Sequence, residues 1–255
     1  MPCLRFELTY LIVAYLGDYD RKKADAVQSS LIIFLFGPPG SGKGTQGRLI
    51  IDWLRENLGN AIPSISTGDM LRAEIAAGTP LGRETQSIIA AGGLVPDGLI
   101  NAALCSRIQQ PDCCHGFMLD GYPRTVEQAE YLDQLLASRN LPAPVVIHLD
   151  VPADVLVGRM VSRRQCSQCG QMYNVLSKRP KIEGRCDDDG AELVTRRDDR
   201  EDVIRERLRT YKEVTRPVVD HYPSDRYFQI SGDRSAPYIF EAITRILESL
   251  TDAKA

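Results

Sequence analysis

Short apolar runs alternate with helical periodicity along most of the chain. Buried parallel strands are apolar at successive positions because both of their faces are covered. Four such runs lie at 31–36, 116–119, 145–149 and 227–230. Apolar residues at helical spacing predict helices over about 42–58, 98–109, 126–138, 153–163, 201–220 and 237–250. This alternation predicts an α/β fold with a doubly wound parallel sheet and right-handed crossovers.

Two stretches depart from the alternation. Residues 66–95 are mostly helical in pattern, and residues 162–199 are rich in turn residues and hold three of the seven cysteines. We interpret both as insertions at the carboxyl edge of the sheet, where α/β proteins bind ligands. The main domain would then span 31–255, and residues 1–30 would be an N-terminal extension of unknown role.

Composition and charge exclude several classes of protein. The 255 residues suffice for one domain with insertions, and the net charge of −3 gives no bulk attraction to nucleic acid or membranes. The apolar run at 10–16 is too short to span a bilayer and lacks a signal-peptide cleavage site. An odd number of cysteines in a chain of this size argues against a secreted disulfide framework, so we expect a cytoplasmic protein.

A glycine-rich loop follows the first predicted strand. Residues 37–43 read GPPGSGK, which satisfies G-x-x-x-x-G-K between a strand and a helix. Glycines let successive backbone N–H groups point at phosphate oxygens, and Lys43 can reach the β- and γ-phosphates. The same residues would also be found in a glycine-rich strand–helix turn in which the lysine has no role. Because Gly44 follows the lysine and Thr45 comes one residue later, a direct hydroxyl ligand to Mg²⁺ is less expected.

Two further segments carry groups suited to a second anionic ligand. Residues 66–72 read STGDMLR, which also fits a simple helix N-cap. Residues 120–125 read DGYPRT, where Asp120 ends a strand and can hold Mg²⁺ through water. Arg124 presents a planar fork for phosphate, and Gln128 lies one helical turn further on the same face.

Three cysteines and an aspartate have the spacing of a metal site. Cys166 and Cys169 are separated by two residues, and after sixteen intervening residues Cys186 and Asp189 repeat that gap. Two such pairs can close a tetrahedron around a structural Zn²⁺ ion that has no open position. Asp187 and its neighbour Asp188 are rival carboxylates, and a disulfide or a set of free thiols would also account for the cysteines. The acidic run argues against a nucleic-acid-binding zinc ribbon.

Together these motifs resemble those of the adenylate kinases, in particular the long-lid, zinc-binding bacterial type. The resemblance rests on GPPGSGKGTQ at 37–46, on STGDMLR and DGYPRT, and on the cysteine-bearing lid, and it covers about 31–250. It implies the fold of the P-loop nucleoside monophosphate kinases, with a small helical insertion that binds the monophosphate. It also implies transfer of the ATP γ-phosphoryl group to AMP, giving two ADP, with Mg²⁺ and a structural Zn²⁺.

The resemblance also implies roles for individual residues. ATP would contact Gly40, Ser41, Gly42, Lys43, Gly44, Thr45, Arg159 and Arg163. AMP would contact Thr67, Arg72, Val95, Gly121, Arg124, Gln128, Arg196 and Arg207, with Gln128 reading the adenine. The catalytic set would be Lys43, Arg124, Arg163, Arg196 and Arg207. Asp198 and Asp199 would hinge or lock the closed lid.

Two other functions remain open on the residues alone. One is a kinase for another monophosphate, UMP or CMP, which a comparison of acceptors would detect. The other is a nucleotide-dependent switch, for which the rate of ATP hydrolysis would not change when AMP is added.

Phosphoryl transfer needs alignment and charge compensation more than a general base, which suits the converging arginines. A self-contained lid over one sheet also predicts a monomer.

Overall fold

The computed structural model describes residues 30–59, 62–196 and 198–252. Its strands are β1 (Leu31–Phe36), β2 (Ser64–Ser66), β3 (Gly116–Asp120), β4 (Val145–Asp150), β5 (Arg163–Cys166), β6 (Met172–Asn174), β7 (Leu193–Val194) and β8 (Tyr227–Ser231). They form a five-stranded parallel sheet, in the order β2-β3-β1-β4-β8, and a separate three-stranded antiparallel sheet, in the order β6-β5-β7. This confirms the predicted α/β fold class.

Helices cover both faces of the larger sheet. They are α1 (Lys43–Leu58), α2 (Thr67–Ala76), α3 (Pro80–Ala90), α4 (Asp97–Arg107), α5 (Val126–Ser138), α6 (Ala153–Val161), α7 (Glu201–Thr210) and α8 (Ala236–Asp252). On one face α4 and α5 contribute Leu104 and Leu132 to a core cluster. On the other face α1 and α8 contribute Ile50 and Ile243 to a second cluster.

The central strand β1 belongs to both clusters. Its side chains alternate, so that Phe34 packs into one cluster and Leu35 into the other. This two-sided burial explains why β1 is apolar at every position. Its register places Leu35 beside Asp120 of β3 and Phe36 beside His148 of β4, so these strands end together at the carboxyl edge.

The helical insertion is formed by α2 and α3. The Ser66 hydroxyl caps α2 by accepting a hydrogen bond of 3.2 Å from the Asp69 amide. The two helices pack backbone to backbone at Gly82, where an added Cβ would lie 2.1 Å from the carbonyl oxygen of Glu74. Glycine is therefore required here by the close approach of the helices rather than by its backbone angles.

Three details of the sequence prediction were wrong. The helix predicted over 153–163 ends at Val161, because Arg163 already pairs with Asn174 in the smaller sheet. The helix predicted over 201–220 becomes a π-helical turn at Tyr211–Thr215 and a 3₁₀ turn at Arg216–His221. A proline in that second turn cannot donate a helical hydrogen bond. Strand β2 was missed because it has only three residues, and the three short strands of the smaller sheet were predicted only as turns.

The predicted N-terminal extension lies outside the described residues, apart from Ser30. Among the residues that the structure describes, no helix is both long enough and apolar enough to cross a membrane.

Candidate active site

A cleft of about 1500 Å³ opens at the carboxyl edge of the parallel sheet. The glycine-rich loop, the α2 side of the helical insertion and the β5–β6 part of the smaller sheet all line it. A pocket of about 60 Å³ lies nearby and shares Arg72, Arg124 and Arg207 with the cleft. The site therefore has one large compartment and one small compartment, with guanidinium groups common to both.

The glycine-rich loop has the geometry of an anion cradle. Lys43 Nζ donates hydrogen bonds of 2.8 and 2.9 Å to the carbonyl oxygens of Gly37 and Pro38. Gly37 has φ 141°, and an added Cβ would lie 2.6 Å from the Leu149 carbonyl oxygen, so no side chain fits there. The Ser41 hydroxyl is buried and has no hydrogen-bond partner among the described residues. A buried orphan hydroxyl beside a lysine is the environment expected of a phosphate site.

The loop lysine lies in a strongly positive environment. Burial lowers the pKa of Lys43 to about 8, against the opposing effect of Asp120, and Arg124, Arg207 and Arg163 lower it further. Burial also raises the pKa of Asp120, although the Lys43 charge acts in the opposite direction. A site with more cations than carboxylates favours a polyanion. Burial disfavours the charged forms of the lysine and arginines, and the negative charge of a bound phosphate stabilises them.

Two arginines are held by consecutive aspartates that precede α7. Arg163 donates from Nε and Nη2 to the two carboxylate oxygens of Asp199, with the Nε bond at 2.7 Å. Arg207 donates from Nη1 to Asp198 at 2.8 Å. Both aspartates are buried, so they fix where the two guanidinium groups lie. That these aspartates hinge or lock a lid stays a prediction, but their contact with the arginines is specific.

The other predicted arginines also line the cleft. Burial lowers the pKa of Arg124, and it lowers the pKa values of Arg196 and Arg207 to about 10. Arg159 Nη1 donates to the Gly232 carbonyl oxygen at 2.8 Å, on the side near α8. Arg72 is paired with Asp69, and Arg196 lies 3.8 Å from the same carboxylate.

The small pocket contains most of the predicted acceptor residues. The Thr67 hydroxyl and Arg124 Nε donate to the Gly121 carbonyl oxygen at 2.9 and 2.7 Å. Val95 is buried beside them and lines the same pocket. Residues that lie up to 140 positions apart in the chain, from Thr67 to Arg207, are thus brought together.

The amide of Gln128 is bonded at both of its ends. Gln128 Oε1 accepts from the Arg124 backbone N–H at 2.8 Å, and Nε2 donates to Asp97 Oδ1 at 2.7 Å. In the sequence, Asp97 is only the last residue of a segment, 92–97, that resembles the family's loop over the base of AMP, and the resemblance gives it no role of its own. Its signal was weak because a single aspartate at the start of a helix is expected from capping alone.

The four predicted metal ligands form a cluster beside the smaller sheet, where Cys166 ends β5 and the other three lie outside the strands. One ligand atom from each of Cys166, Cys169, Cys186 and Asp189 lies within 4.8 Å of all the others. Cys169 Sγ lies 3.5 Å from Cys186 Sγ, which is too far for a disulfide and fits sulfurs that share a tetrahedral ion with bonds of about 2.3 Å. The donor set is therefore compatible with zinc.

The same geometry separates Asp189 from a rival carboxylate. Asp189 lies 3.3 Å from Cys166 Sγ through each of its oxygens. Asp187 instead accepts a hydrogen bond of 2.7 Å from the Lys181 amide. Of these two carboxylates, the one predicted from the two-residue gap is the one that faces the thiols.

Comparisons with known proteins agree with these observations. The family model described as "Adenylate kinase" matches residues 35–227. Curated adenylate kinases from Thermodesulfovibrio yellowstonii and Thermosipho melanesiensis are 47% and 44% identical, each covering 85% of this chain and 98% of the relative. One from Archaeoglobus fulgidus is 42% identical over 86% of this chain and 98% of the relative. The chain therefore belongs to the adenylate kinase family and is an enzyme that transfers a phosphoryl group from ATP to AMP, giving two ADP.

Proposed function

We propose that the two compartments divide the substrates of this reaction. The triphosphate of ATP lies on the glycine-rich loop, over residues 40–45, with Arg159 and Arg163 on its open side. AMP lies in the small pocket, between Thr67, Val95 and Gln128. The observation that carries this assignment is the shared wall of Arg124 and Arg207, because the transferred phosphoryl group must pass between the two nucleotides.

The proposed chemistry of this chain is alignment and charge compensation. Lys43, Arg124, Arg163, Arg196 and Arg207 surround the path of the phosphoryl group and neutralise charge on its equatorial oxygens. No general base is needed, since the phosphate of AMP is already an anionic nucleophile. Arg72 adds its charge to the acceptor site. The backbone carbonyl of Gly121 holds the Thr67 hydroxyl and the Arg124 guanidinium in that site.

Magnesium enters this proposal with ATP. When bound, Mg²⁺ would supply positive charge that offsets the charge of the phosphate oxygens. Asp120 fits a role in holding it through water, because its carboxylate ends β3 beside the loop and lies within Coulomb range of Lys43. Asp120 would therefore belong to the part of the site that binds ATP.

The two insertions are proposed to be the moving parts. Residues 66–95 would cover AMP and residues 162–199 would cover ATP, while the rest of 31–255 stays as the core. Excluding water matters because water is the competing nucleophile. The smaller sheet is a poor candidate for independent folding, since its buried cluster contains only Cys166, Tyr173 and Cys186 among the described residues. A structural Zn²⁺ held by three thiolates and Asp189 would supply the missing stability.

The proposed setting is a monomer in the cytoplasm. None of the six cysteines within the described residues is in a disulfide, which suits a reducing compartment, and the site proposed here uses residues of one chain. Neither nucleic acid nor a membrane is needed as a partner.

A coupled assay of ADP formation tests the residue assignment. We expect Lys43→Met and Arg124→Ala to lower kcat by at least a hundredfold with the fold retained, as judged by circular dichroism. Arg205→Ala is the matched control, because Arg205 lies on α7 near Arg207 but pairs with Glu201 at the surface. Near-normal ADP formation by either active-site variant would refute the assignment.

The choice of acceptor is tested in the same assay. We expect AMP to be preferred over CMP, UMP and GMP. Equal or faster turnover with a pyrimidine monophosphate would show that the small pocket accepts another base.

A further inference from the structure

The side-chain amide of Gln128 has only one orientation that its neighbours allow. The Arg124 backbone N–H can only donate, and it faces Oε1 at 2.8 Å. The Asp97 carboxylate can only accept while ionised, and it faces Nε2 at 2.7 Å. Rotating the amide by 180° would set N–H against N–H and oxygen against carboxylate, which loses two hydrogen bonds and creates two repulsive contacts.

The carboxylate of Asp97 is itself held from two directions. Its second oxygen accepts a hydrogen bond of 2.7 Å from the Thr125 hydroxyl. Asp97 is also the first residue of α4, where the exposed backbone N–H groups favour a negative charge. The Thr125 hydroxyl in turn caps α5 by accepting a hydrogen bond of 3.1 Å from the backbone N–H of Gln128. The Asp97 carboxylate, which orients Gln128, is therefore held in place by groups at the starts of α4 and α5.

The orientation decides what Gln128 can offer to a ligand. An amide has two N–H donors and two acceptor positions on its oxygen, and one of each is already used. One N–H and one acceptor position remain, on a side chain that is only 3% exposed and lines the small pocket. A base with an acceptor at its N1 and a donor at its C6 substituent complements this pair, as adenine does. Hypoxanthine and guanine have the reverse polarity at both positions.

We propose that Asp97 is a positioning residue that sets the base specificity of the acceptor site. It holds the Gln128 amide in the orientation that matches a 6-aminopurine monophosphate and rejects a 6-oxopurine monophosphate. This inference rests on the proposed function, in which Gln128 meets the base of AMP. A site with buried, oriented polar groups discriminates strongly, because the wrong base leaves those groups unpaired.

The test compares AMP with IMP, which differs from AMP only in the polarity of these two positions. The measured quantity is the ratio of kcat/KM for AMP to kcat/KM for IMP, in the coupled assay with saturating ATP. We expect Asp97→Ala to lower this ratio at least tenfold, by losing activity with AMP and gaining relative activity with IMP. Asp97→Asn, whose side-chain oxygen can still accept from Gln128, should keep a ratio closer to that of the unmodified protein.

Arg72→Ala is the matched control, since Arg72 lines the same pocket but is assigned to the phosphate. It should lower kcat/KM for AMP and IMP by the same factor and leave the ratio unchanged. If Asp97→Ala also lowers kcat/KM for AMP and for IMP by the same factor, the role of Asp97 is merely structural and the inference is overturned.

Gln128→Ala separates this inference from the proposed function. If it leaves the AMP-to-IMP ratio unchanged, Gln128 does not read the base and the acceptor assignment itself is wrong. If it lowers the ratio while Asp97→Ala does not, the acceptor assignment stands and the positioning role of Asp97 fails.

Discussion

The buried histidine of β4 should make this protein lose stability in mild acid. His148 is 2% exposed and packs edge-on against Phe36, with ring centroids 5.6 Å apart. Its Nε2 lies 3.0 Å from the Tyr211 hydroxyl, and its Nδ1 contacts the Tyr227 hydroxyl. Burial lowers the pKa of His148 to about 4; Asp150 opposes this, whereas Arg216 and Lys43 reinforce it.

The sign of the effect follows from which state binds the proton. An unfolded histidine with a pKa of 6.5 takes up a proton at a pH at which folded His148 remains neutral. The contribution of His148 to stability is therefore fully present above pH 6.5 and is lost as the pH falls towards 4. Each factor of ten in proton affinity corresponds to about 1.4 kcal/mol. Between pH 7 and pH 5 the expected loss is about 2 kcal/mol.

The measurement is the free energy of unfolding in urea at pH 7, 6 and 5, for the unmodified protein and for His148→Gln. Glutamine retains hydrogen-bonding groups for the tyrosines but does not titrate. The variant should lose about 2 kcal/mol less than the unmodified protein over this range. His115→Gln is the control, because His115 is exposed, and it should follow the unmodified protein. Parallel pH profiles for His148→Gln and the unmodified protein would refute the reasoning.

Three further predictions concern the insertions. Cys186→Ser should abolish one equivalent of bound zinc and lower Tm, whereas Cys114→Ser, at an exposed thiol, should change neither; zinc content and calorimetry measure both. Gly82→Ala should cost about 1–3 kcal/mol of unfolding free energy, because its Cβ would collide with the α2 backbone. Gly98→Ala, which meets open space, should not destabilise in the same denaturation assay. Asp199→Ala should lower kcat at least tenfold, because it releases Arg163. The control is Asp202→Ala, which removes an exposed ion pair with Arg200, and equal kcat values for the two variants would contradict the prediction.

The local features of this protein could be predicted from the sequence. Residues within one turn or one loop determine a buried strand, a glycine cradle with its lysine, and a pair of cysteines two residues apart. The spacing of apolar residues therefore placed β1 and α5 at their observed bounds. Local patterns also placed Asp120 at the end of β3 and selected Asp189 as the carboxylate that faces the thiols. These predictions need only backbone geometry and the period of each element.

The pairings between distant residues were decided by the tertiary structure. Asp97 and Gln128 are 31 residues apart, Arg163 and Asp199 are 36 apart, and His148 and Tyr211 are 63 apart. Each pairing depends on how two elements pack, and no local pattern encodes that packing. The strands of the smaller sheet were missed for the same reason, since strands of two to four residues are stable only when paired with their neighbours. The sequence by itself thus determined which chemical groups are present, and packing of the sheet and its insertions determined which of them meet.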